Sequence, residues 1–152
     1  MNQLKILNKK EKVEIENKLK AQFGIKNVNG IFVKRGAERI FLFQGSYSKE
    51  QIKHLEKLTQ IERVGVYFAK EMNDKIRLSV DGVHILKDQI TKNIYEIDEE
   101  QAKQWMMGQE LNITTGKKDF VIIRYKDYFL GCGKASAEKI TNFIPKNRRL
   151  KK

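Results

Sequence analysis

The sequence predicts an α+β fold, in which helices and strands mix in the first half and strands dominate the second half. Three observations lead to this prediction. Residues 9–23 have the apolar spacing and the end signals of a helix. Two runs of strand formers, 31–33 and 39–43, flank a loop that contains a glycine. After residue 73, four strand-like runs alternate with one or two short helices.

The first helix is predicted from its capping residues. Asn8 followed by Glu11 fits a capping box, in which each side chain accepts a hydrogen bond from the other's backbone amide. Gly24 fits a C-terminal stop. Between them, apolar residues recur at roughly helical spacing at Val13, Ile15, Leu19 and Phe23.

The remaining elements of the first half follow from short patterns. IFV (31–33) and RIFLF (39–43) are predicted to form a hairpin around KRGAE. Ser48 begins a second predicted helix, SKEQIKHLEKL (48–58), with apolar residues on one side. RVGVYFAK (63–70) is predicted to be a strand. Together these elements make the first half an α+β unit.

A polar break, MNDK (72–75), is a plausible boundary between two domains. After it, IRLSV (76–80) is predicted to form a strand and Asp81-Gly82 a turn. Asp98 is a candidate cap for a short helix that ends at Gly108. Three further strands are predicted at 119–125, 128–133 and 140–144. Lys126-Asp127 predicts a tight hairpin between the first two, and Pro145 ends the third.

The charge balance favours a polyanionic partner. The chain carries a net charge of +12, from 31 Lys and Arg against 19 Asp and Glu. Nucleic acid is the leading candidate, ahead of an anionic membrane surface or an acidic protein, and solvated lysine-rich faces are the alternative. Only one acid, Glu138, stands among the basic residues near the C-terminus, Lys134, Lys139, Lys146, Arg148, Arg149, Lys151 and Lys152.

The sequence also predicts a cytoplasmic protein. No apolar run approaches the ~18–20 residues of a membrane-spanning helix, so no membrane association is expected. The N-terminus lacks the apolar core of a signal peptide. A single cysteine, Cys132, cannot form an internal disulfide, which agrees with a reducing compartment.

The motif GCGK (131–134) does not pass the tests for a phosphate-binding loop. Such a loop needs a glycine where Tyr128 stands and a hydroxyl residue where Ala135 stands. The third glycine of a dinucleotide fingerprint is also missing. The two glycines therefore predict a bulge, or a close approach of another backbone, at the end of a strand.

No constellation for catalysis or metal binding is found. Cys132 has no evident base, since His54 and His84 are far from it in sequence, and a buried apolar role is expected. Two histidines and one cysteine match no metal-ligand spacing. The acidic run EIDEE (96–100) fits the first turn of a helix. Trp105 is more readily explained by packing than as a platform for stacking bases.

The basic C-terminal segment is the main candidate site. TNFIP (141–145) supplies apolar anchors, so that the charges after it project outward. Lys134, Lys139, Lys146, Arg148 and Arg149 are predicted to grip phosphates, and Asn142 to add a hydrogen bond. A second patch is predicted in KRGAER, at Lys34, Arg35 and Arg39.

The second half resembles a PUA domain, the small RNA-binding pseudobarrel of pseudouridine synthases and archaeosine transglycosylases. The motif W-x-x-G-x-x-L, a hairpin ending in L-G-x-G-K, and N-F-I-P-K-x-R-R-L are most similar to one subgroup. That subgroup occurs in standalone archaeal proteins and at the C-terminus of rRNA 5-methylcytosine methyltransferases of the Nol/Nop/Sun type. The matching residues are Trp105, Gly108, Leu111, Leu130, Gly131, Gly133, Lys134, Asn142, Phe143, Ile144, Pro145, Lys146, Arg148, Arg149 and Leu150.

The first half looks like the pre-PUA domain of a Nip-type ribosome biogenesis factor, which has a similar two-module layout. The resemblance implies a pre-PUA module at 1–73 and a PUA module at 74–152, without a catalytic or cofactor site. A methyltransferase of the related type needs a Rossmann domain and a cysteine pair, and this sequence of 152 residues shows neither. The basic end departs from the Nip type and is nearer the methyltransferase module. Together with the Lys and Ile content, the resemblance suggests an archaeal source.

The leading hypothesis is a noncatalytic RNA-binding protein that acts on rRNA in ribosome biogenesis. The first alternative is a specificity subunit that delivers tRNA or rRNA to a separate RNA-modifying enzyme, with an RNA methyltransferase or another assembly factor as partner. The second alternative is a protein-interaction scaffold. An independent enzyme is the least favoured hypothesis.

Overall fold

The computed structural model describes residues 4–45, 50–52 and 65–151. In chain order the named elements are β1 (Leu4–Ile6), α1 (Lys9–Phe23), β2 (Ile31–Arg35), β3 (Arg39–Phe43), β4 (Val66–Met72), β5 (Lys75–Leu78), α2 (Val80–Leu86), β6 (Ile94–Glu96), α3 (Glu99–Met106), β7 (Asp119–Tyr125), β8 (Tyr128–Ala135), β9 (Ile140–Thr141) and a 3₁₀ turn (Lys146–Arg148). The α+β prediction is confirmed.

Helix α1 begins and ends at the predicted residues. The Glu11 amide donates to Asn8 Oδ1 at 2.9 Å, and the Asn8 amide donates to Glu11 Oε1 at 3.0 Å. Gly24 has φ 78°, a left-handed conformation that glycine adopts without a steric cost, and its amide donates to the last carbonyls of the helix. The local capping chemistry therefore decides both ends of this helix.

The first five strands form one antiparallel sheet in the order β1-β2-β3-β4-β5. The β2–β3 hairpin is confirmed, with Arg35 opposite Arg39. Helix α1 packs on one face of the sheet through Ile15, Leu19 and Phe23. A smaller apolar cluster of Val33, Phe41, Phe43 and Ile52 lies apart from this core. The sheet is therefore apolar on both faces.

The second predicted helix, 48–58, can be tested only in part. Residues 50–52 are helical, and the rest of the prediction lies outside the described residues. The strand predicted at 63–70 is β4, which begins at Val66 and continues to Met72. Its first residues, 63–64, also lie outside the described part of the chain.

The polar break at 72–75 is the turn of a hairpin. Met72 lies opposite Lys75, and the two residues between them, Asn73 and Asp74, have φ 49° and 66°. Two consecutive left-handed residues are typical of a tight β-hairpin turn. The strand β5 that follows therefore belongs to the first sheet.

The turn predicted at Asp81-Gly82 is wrong, because these residues lie in the first turn of helix α2. Ser79 caps this helix, and its Oγ accepts a hydrogen bond from the Gly82 amide at 2.9 Å. A Cβ atom at Gly82 would lie 2.3 Å from the Phe68 carbonyl oxygen. Gly82 is thus required by the close approach of the helix to β4, and the strand predicted at 76–80 ends at Leu78.

The second sheet has the order β6-β7-β8-β9, with β6 parallel to β7 and the other pairs antiparallel. The β7–β8 hairpin is confirmed, with Lys126 in a left-handed conformation at φ 53°. Helix α3 is capped by Asp98 as predicted. The last strand is shorter than predicted, covering only Ile140–Thr141.

One core connects the two sheets. Phe32, Phe68 and Ile76 of the first sheet pack in the same cluster as Phe120 and Ile122 of the second. A second core surrounds Trp105 on the other side of the second sheet. The division into modules at 1–73 and 74–152 stays a prediction. Within the described residues, no helix has both the length and the apolar character needed to cross a membrane.

Candidate nucleic-acid interface

Trp105 fixes helix α3 to the second sheet. The indole is fully buried, and its Nε1 donates to the Leu130 carbonyl at 2.9 Å. Leu130 is the extra residue of a β-bulge, where Ile123 faces Gly131 and Arg124 faces Phe129. The packing role predicted for Trp105 is confirmed, and its ring is not exposed for stacking on a base.

Asn142 attaches the chain after β9 to helix α3. Its Nδ2 donates to the carbonyls of Trp105 at 2.8 Å and Gln109 at 3.0 Å. Its Oδ1 accepts from the Ile144 amide at 2.8 Å. Both amide hydrogens and the carbonyl oxygen are therefore engaged within the protein.

Arg149 contacts both the C-terminal segment and the end of α3. Its Nε donates to the Ile144 carbonyl at 2.9 Å. Its side chain lies against the backbone of Gly108, where an added Cβ would come within 2.3 Å of Nε. The Leu150 amide then donates to the Met106 carbonyl at 2.7 Å. We call Trp105, Gly108, Asn142 and Arg149 the C-terminal clasp.

The other predicted basic residues of this segment project toward solvent. Lys134, Lys139, Lys146 and Arg148 are all exposed. Lys139 forms a salt bridge with Glu110 at 3.1 Å, and Arg148 reaches Asp81 at 3.3 Å. Exposed salt bridges of this kind are weak and exchange readily for other anions. Lys134 and Lys139 therefore project from β8 and the turn after it, and Lys146 and Arg148 project from the segment that the clasp holds.

Arg148 lies between two concave surfaces. One is a groove of about 380 Å³ lined also by His84 and by Tyr128, which is 65% exposed. The other is a small cleft that reaches the first sheet, with Tyr67, Arg77 and Phe143 among its lining residues. An exposed aromatic beside a cation is typical of surfaces on which bases stack.

The residues of the second predicted patch separate onto two faces of the first sheet. Successive residues of a strand face opposite sides, so Lys34 and Arg35 diverge. Lys34 lies on the α1 side, 2.8 Å from Glu71 Oε1. Arg39 lies on the other side, with its guanidinium 5.4 Å from the Phe41 ring and 5.2 Å from the Tyr67 ring.

Arg77 is a basic residue of the site that no sequence pattern indicated. Its guanidinium stacks 4.3 Å from the centroid of the Phe143 ring. This contact joins β5 of the first sheet to the C-terminal segment. Its position could be found only from the pairing of β4 with β5, which the predicted boundary at 72–75 concealed.

The glycines of GCGK are explained by packing. Gly131 has φ 118° and adjoins the bulge. A Cβ at Gly133 would lie 2.5 Å from Ile140 Cγ2 and 2.9 Å from the Thr141 carbonyl oxygen. Both predicted reasons, a bulge and the close approach of another backbone, are confirmed.

Cys132 is a core residue. It is 5% exposed, and burial raises the pKa of its thiol to about 12. His84 Nε2 contacts the Phe129 carbonyl at 3.2 Å, and His54 lies outside the described residues. The described residues hold no group of three or more His, Cys, Asp or Glu side chains suited to a metal ion.

Residues 92–150 match the family model described as the PUA domain of the methyltransferase RsmF. This stretch includes α3, all four strands of the second sheet and the whole clasp. Residues 92–150 are therefore similar to this PUA family. The resemblance to PUA domains of rRNA methyltransferases is thereby confirmed, and the archaeal two-module type stays a prediction.

Several curated proteins that are similar to this chain are named as ribosomal RNA methyltransferases. A ribosomal RNA small subunit methyltransferase F from Aeromonas salmonicida is 25% identical over 141 residues, which is 90% of this chain and 28% of that protein. The Psychromonas ingrahamii protein of the same name is 26% identical over 132 residues, or 83% of this chain and 26% of its own length. The chain spans less than a third of the length of these relatives.

The matched stretch 92–150 contains one of the two predicted patches. The clasp and the exposed cations Lys134, Lys139, Lys146 and Arg148 all fall within it. Lys34, Arg35 and Arg39 lie outside the matched residues, on β2 and β3. Arg77 also precedes the matched residues but contacts Phe143, which lies among them.

Proposed function

We propose that this chain is a noncatalytic RNA-binding protein that acts on ribosomal RNA during ribosome biogenesis. The observation that carries the proposal is a cationic edge on a rigid support. Lys134, Lys139, Lys146 and Arg148 are exposed around a segment that the clasp fixes by side-chain hydrogen bonds to backbone. The name of the matched family and the names of the relatives point to ribosomal RNA.

The proposed contacts differ in kind between the six predicted residues of the C-terminal segment. The four exposed cations would bind phosphates, which fix the position of the RNA but carry no sequence information. Asn142 and Arg149 would act through the clasp, because their hydrogen bonds hold the segment in place. Tyr128 offers an exposed ring beside Arg148 on which a base could stack.

The absence of catalysis in this proposal rests on two observations. The GCGK motif is shaped by packing against Ile140 and the bulge, with no phosphate-binding geometry required. The Cys132 thiol is buried, with a pKa raised to about 12, so its nucleophilic thiolate is suppressed at neutral pH. RNA binding by the chain would then serve positioning or assembly.

The proposal is tested by the salt dependence of RNA affinity. If four cations bind phosphates, they contribute about −3 to the slope of log K against log salt concentration. The double variant Lys146→Gln/Arg148→Gln should bind a small-subunit rRNA fragment at least tenfold more weakly, with a slope smaller by about 1.5. The change should be similar across RNA sequences, since phosphates are alike.

Lys103→Gln/Lys118→Gln is the matched control, because it removes the same charge from two other exposed lysines of the PUA domain. Affinity that is independent of salt, or equal losses in both double variants, would contradict the proposal. Crosslinking in cells followed by sequencing of the bound RNA identifies the target. Enriched precursor rRNA is the expected result.

A second candidate function is delivery of rRNA or tRNA to a separate RNA-modifying enzyme. The observation that favours it is that the relatives are named as methyltransferases, while the chain matches less than a third of their length. Co-purification of an RNA methyltransferase, whose activity is lost when this protein is removed, would support this candidate. Co-purification with assembly factors alone would favour the first.

A further inference from the structure

A row of basic residues crosses the first sheet from strand to strand. Arg35 lies opposite Arg39, Arg39 opposite Lys70, and Lys70 opposite Arg77. Residues directly opposite each other in an antiparallel sheet share a face, so the four side chains stand side by side. We call Arg35, Arg39, Lys70 and Arg77 the basic row.

A bulge in β4 places Lys70 in this row. The register shifts there, so that Ile40 faces Ala69 whereas Phe41 faces Tyr67. Phe68 is the extra residue, and it remains buried on the α1 side. Without the bulge, the side chains at 67 and 70 would alternate to opposite faces. The bulge therefore brings Tyr67 and Lys70 to the face that carries Arg39.

Two arginines of the row are held by aromatic rings. Arg39 lies over Phe41 and Tyr67, which are themselves in contact with ring centroids 5.7 Å apart. Arg77 lies over Phe143. A guanidinium stacked on a ring keeps its N–H groups at the edge, where they can donate to phosphate oxygens. The rings thus reduce the mobility of these side chains without consuming their hydrogen-bond donors.

The carboxylates close to the row are Glu38 and Glu71, and they pair with lysines rather than with Arg39 or Arg77. Glu38 lies 3.8 Å from Lys70 and is half exposed. Glu71 faces the α1 side, where it pairs with Lys18 and Lys34. Among the residues that the structure describes, Arg39 and Arg77 form no ion pair. The row therefore has the charge of an anion-binding surface.

The row continues into the C-terminal segment. The small cleft between the sheets is lined by Tyr67 and Arg77 on one side and by Phe143 and Arg148 on the other. Arg148 belongs to the cationic edge of the PUA domain. Neighbouring strands are about 4.8 Å apart, so the row adds about 14 Å to that edge.

We infer that the basic row binds the phosphates of the same RNA strand and extends the RNA path from the PUA domain across the first sheet. This inference rests on the proposed RNA binding and adds Lys70 and Arg77 to the contact residues. It also gives Arg35 and Arg39 a role in one continuous surface. Lys34, on the other face, is outside this path.

The length of the RNA provides the first test. Affinity of the full chain for single-stranded oligonucleotides of 6 to 20 nucleotides is measured by fluorescence anisotropy. The triple variant Arg39→Gln/Lys70→Gln/Arg77→Gln should bind the shortest oligonucleotide like the wild type. It should bind the longest at least tenfold more weakly, with a salt slope smaller by about 2.

Lys9→Gln/Lys10→Gln/Lys20→Gln is the matched control, since these exposed lysines lie on α1, on the opposite face of the sheet. It should reproduce the wild type at every length. If the triple variant and the control lose affinity equally, the row has no specific role. Circular dichroism spectra and melting temperatures establish that each variant is folded.

A second test uses the wild-type chain and does not depend on variant folding. Lysines are acetylated with and without bound RNA, and the modified positions are read by mass spectrometry. Lys70 and Lys146 should both be protected, and Lys9 and Lys10 should not. Protection of Lys146 without Lys70 would overturn the basic row while the proposed function stands. Protection of neither would overturn both.

Discussion

At the scale of single residues, Cys132 shows how packing determines chemistry. Its side chain lies in the core that both sheets share, and burial is the largest influence on its thiol. A backbone hydrogen bond from Leu78 and the charge of Arg77 favour the thiolate, but burial outweighs them. The pKa rises from its ordinary value of 9.0 to about 12.

The stability of the protein should therefore fall at alkaline pH through Cys132. In the unfolded chain the thiol ionises near its ordinary pKa, while in the folded chain it stays protonated. The contribution is complete below about pH 9 and decreases by about 1.4 kcal/mol per pH unit as the pH rises toward 12. Urea unfolding of the wild type and Cys132→Ala between pH 8 and 10.5 measures this difference.

Cys132→Ala lacks the titrating thiol, so its unfolding free energy should decline less steeply over this range. Other groups that titrate at high pH are common to both proteins and cancel in the comparison. Parallel curves for the two proteins would mean that the thiol ionises equally in the folded and unfolded chains.

Some residue roles could be predicted from the sequence and others could not. The core position of Cys132 followed from the lack of any partner for catalysis. That of Trp105 followed from packing against strands being the commoner role of such a side chain. Arg77 could not be predicted, because its role depends on which residue faces it across β4 and on the ring of Phe143. Register across strands is not evident in a single short run of sequence.

At the scale of elements, the C-terminal clasp replaces regular structure. After β9 the chain makes only a short 3₁₀ turn. The hydrogen bonds of Asn142 and Leu150 and the packing of Arg149 against Gly108 hold it to the end of α3. The sequence predicted a longer strand over 140–144. The strand stops at Thr141, and the Asn142 side chain then accepts from the Ile144 amide, a local contact that competes with strand pairing.

Asn142→Ala should destabilise the fold. The change removes three hydrogen bonds and leaves the carbonyl of Trp105 and the amide of Ile144 without these partners. A loss of about 2–3 kcal/mol in the free energy of unfolding is expected. Urea unfolding followed by circular dichroism measures it.

Asn147→Ala is the control, since Asn147 is exposed in the same segment and a surface change of this kind costs at most about 0.5 kcal/mol. The comparison also separates two roles for Asn142. Unchanged stability combined with weaker RNA binding would make Asn142 a direct RNA contact, as the sequence first indicated.

Elements with local end signals were the most predictable. The capping boxes at Asn8 and Asp98 set the starts of α1 and α3, because each involves residues only three positions apart. Helix α2 was missed, since Asp81-Gly82 is typical of a turn in sequence. What selects the helix is Ser79 as a cap and the close passage of Gly82 over the Phe68 carbonyl, and the latter is a tertiary contact.

At the scale of the whole molecule, the two halves of the sequence share their core and their backbone contacts. Gln22 of α1 donates to the Ile76 carbonyl at 3.0 Å and accepts from the Ile76 amide at 2.7 Å. The Thr91 amide donates to the Phe23 carbonyl at 2.8 Å. Composition and a polar turn indicated a boundary at 73, but they carry no information about such long-range contacts.

A chain divided after residue 73 should fail to fold as two independent parts. A fragment of residues 74–152 would leave β5 without β4 and would expose Ile76 and Leu78, which are 0% and 2% exposed in the intact chain. The broad, non-cooperative thermal unfolding of a loosely packed state is expected for this fragment, against a single cooperative transition for the intact chain. Circular dichroism and the dispersion of amide proton resonances distinguish the two states. Mixing the 74–152 fragment with the fragment of residues 1–73 should restore the cooperative transition, because β4 and α1 then regain their contacts with Ile76. Cooperative unfolding of the 74–152 fragment alone would instead establish the boundary at 73 as a true domain boundary, with the basic row divided between two separately folding units.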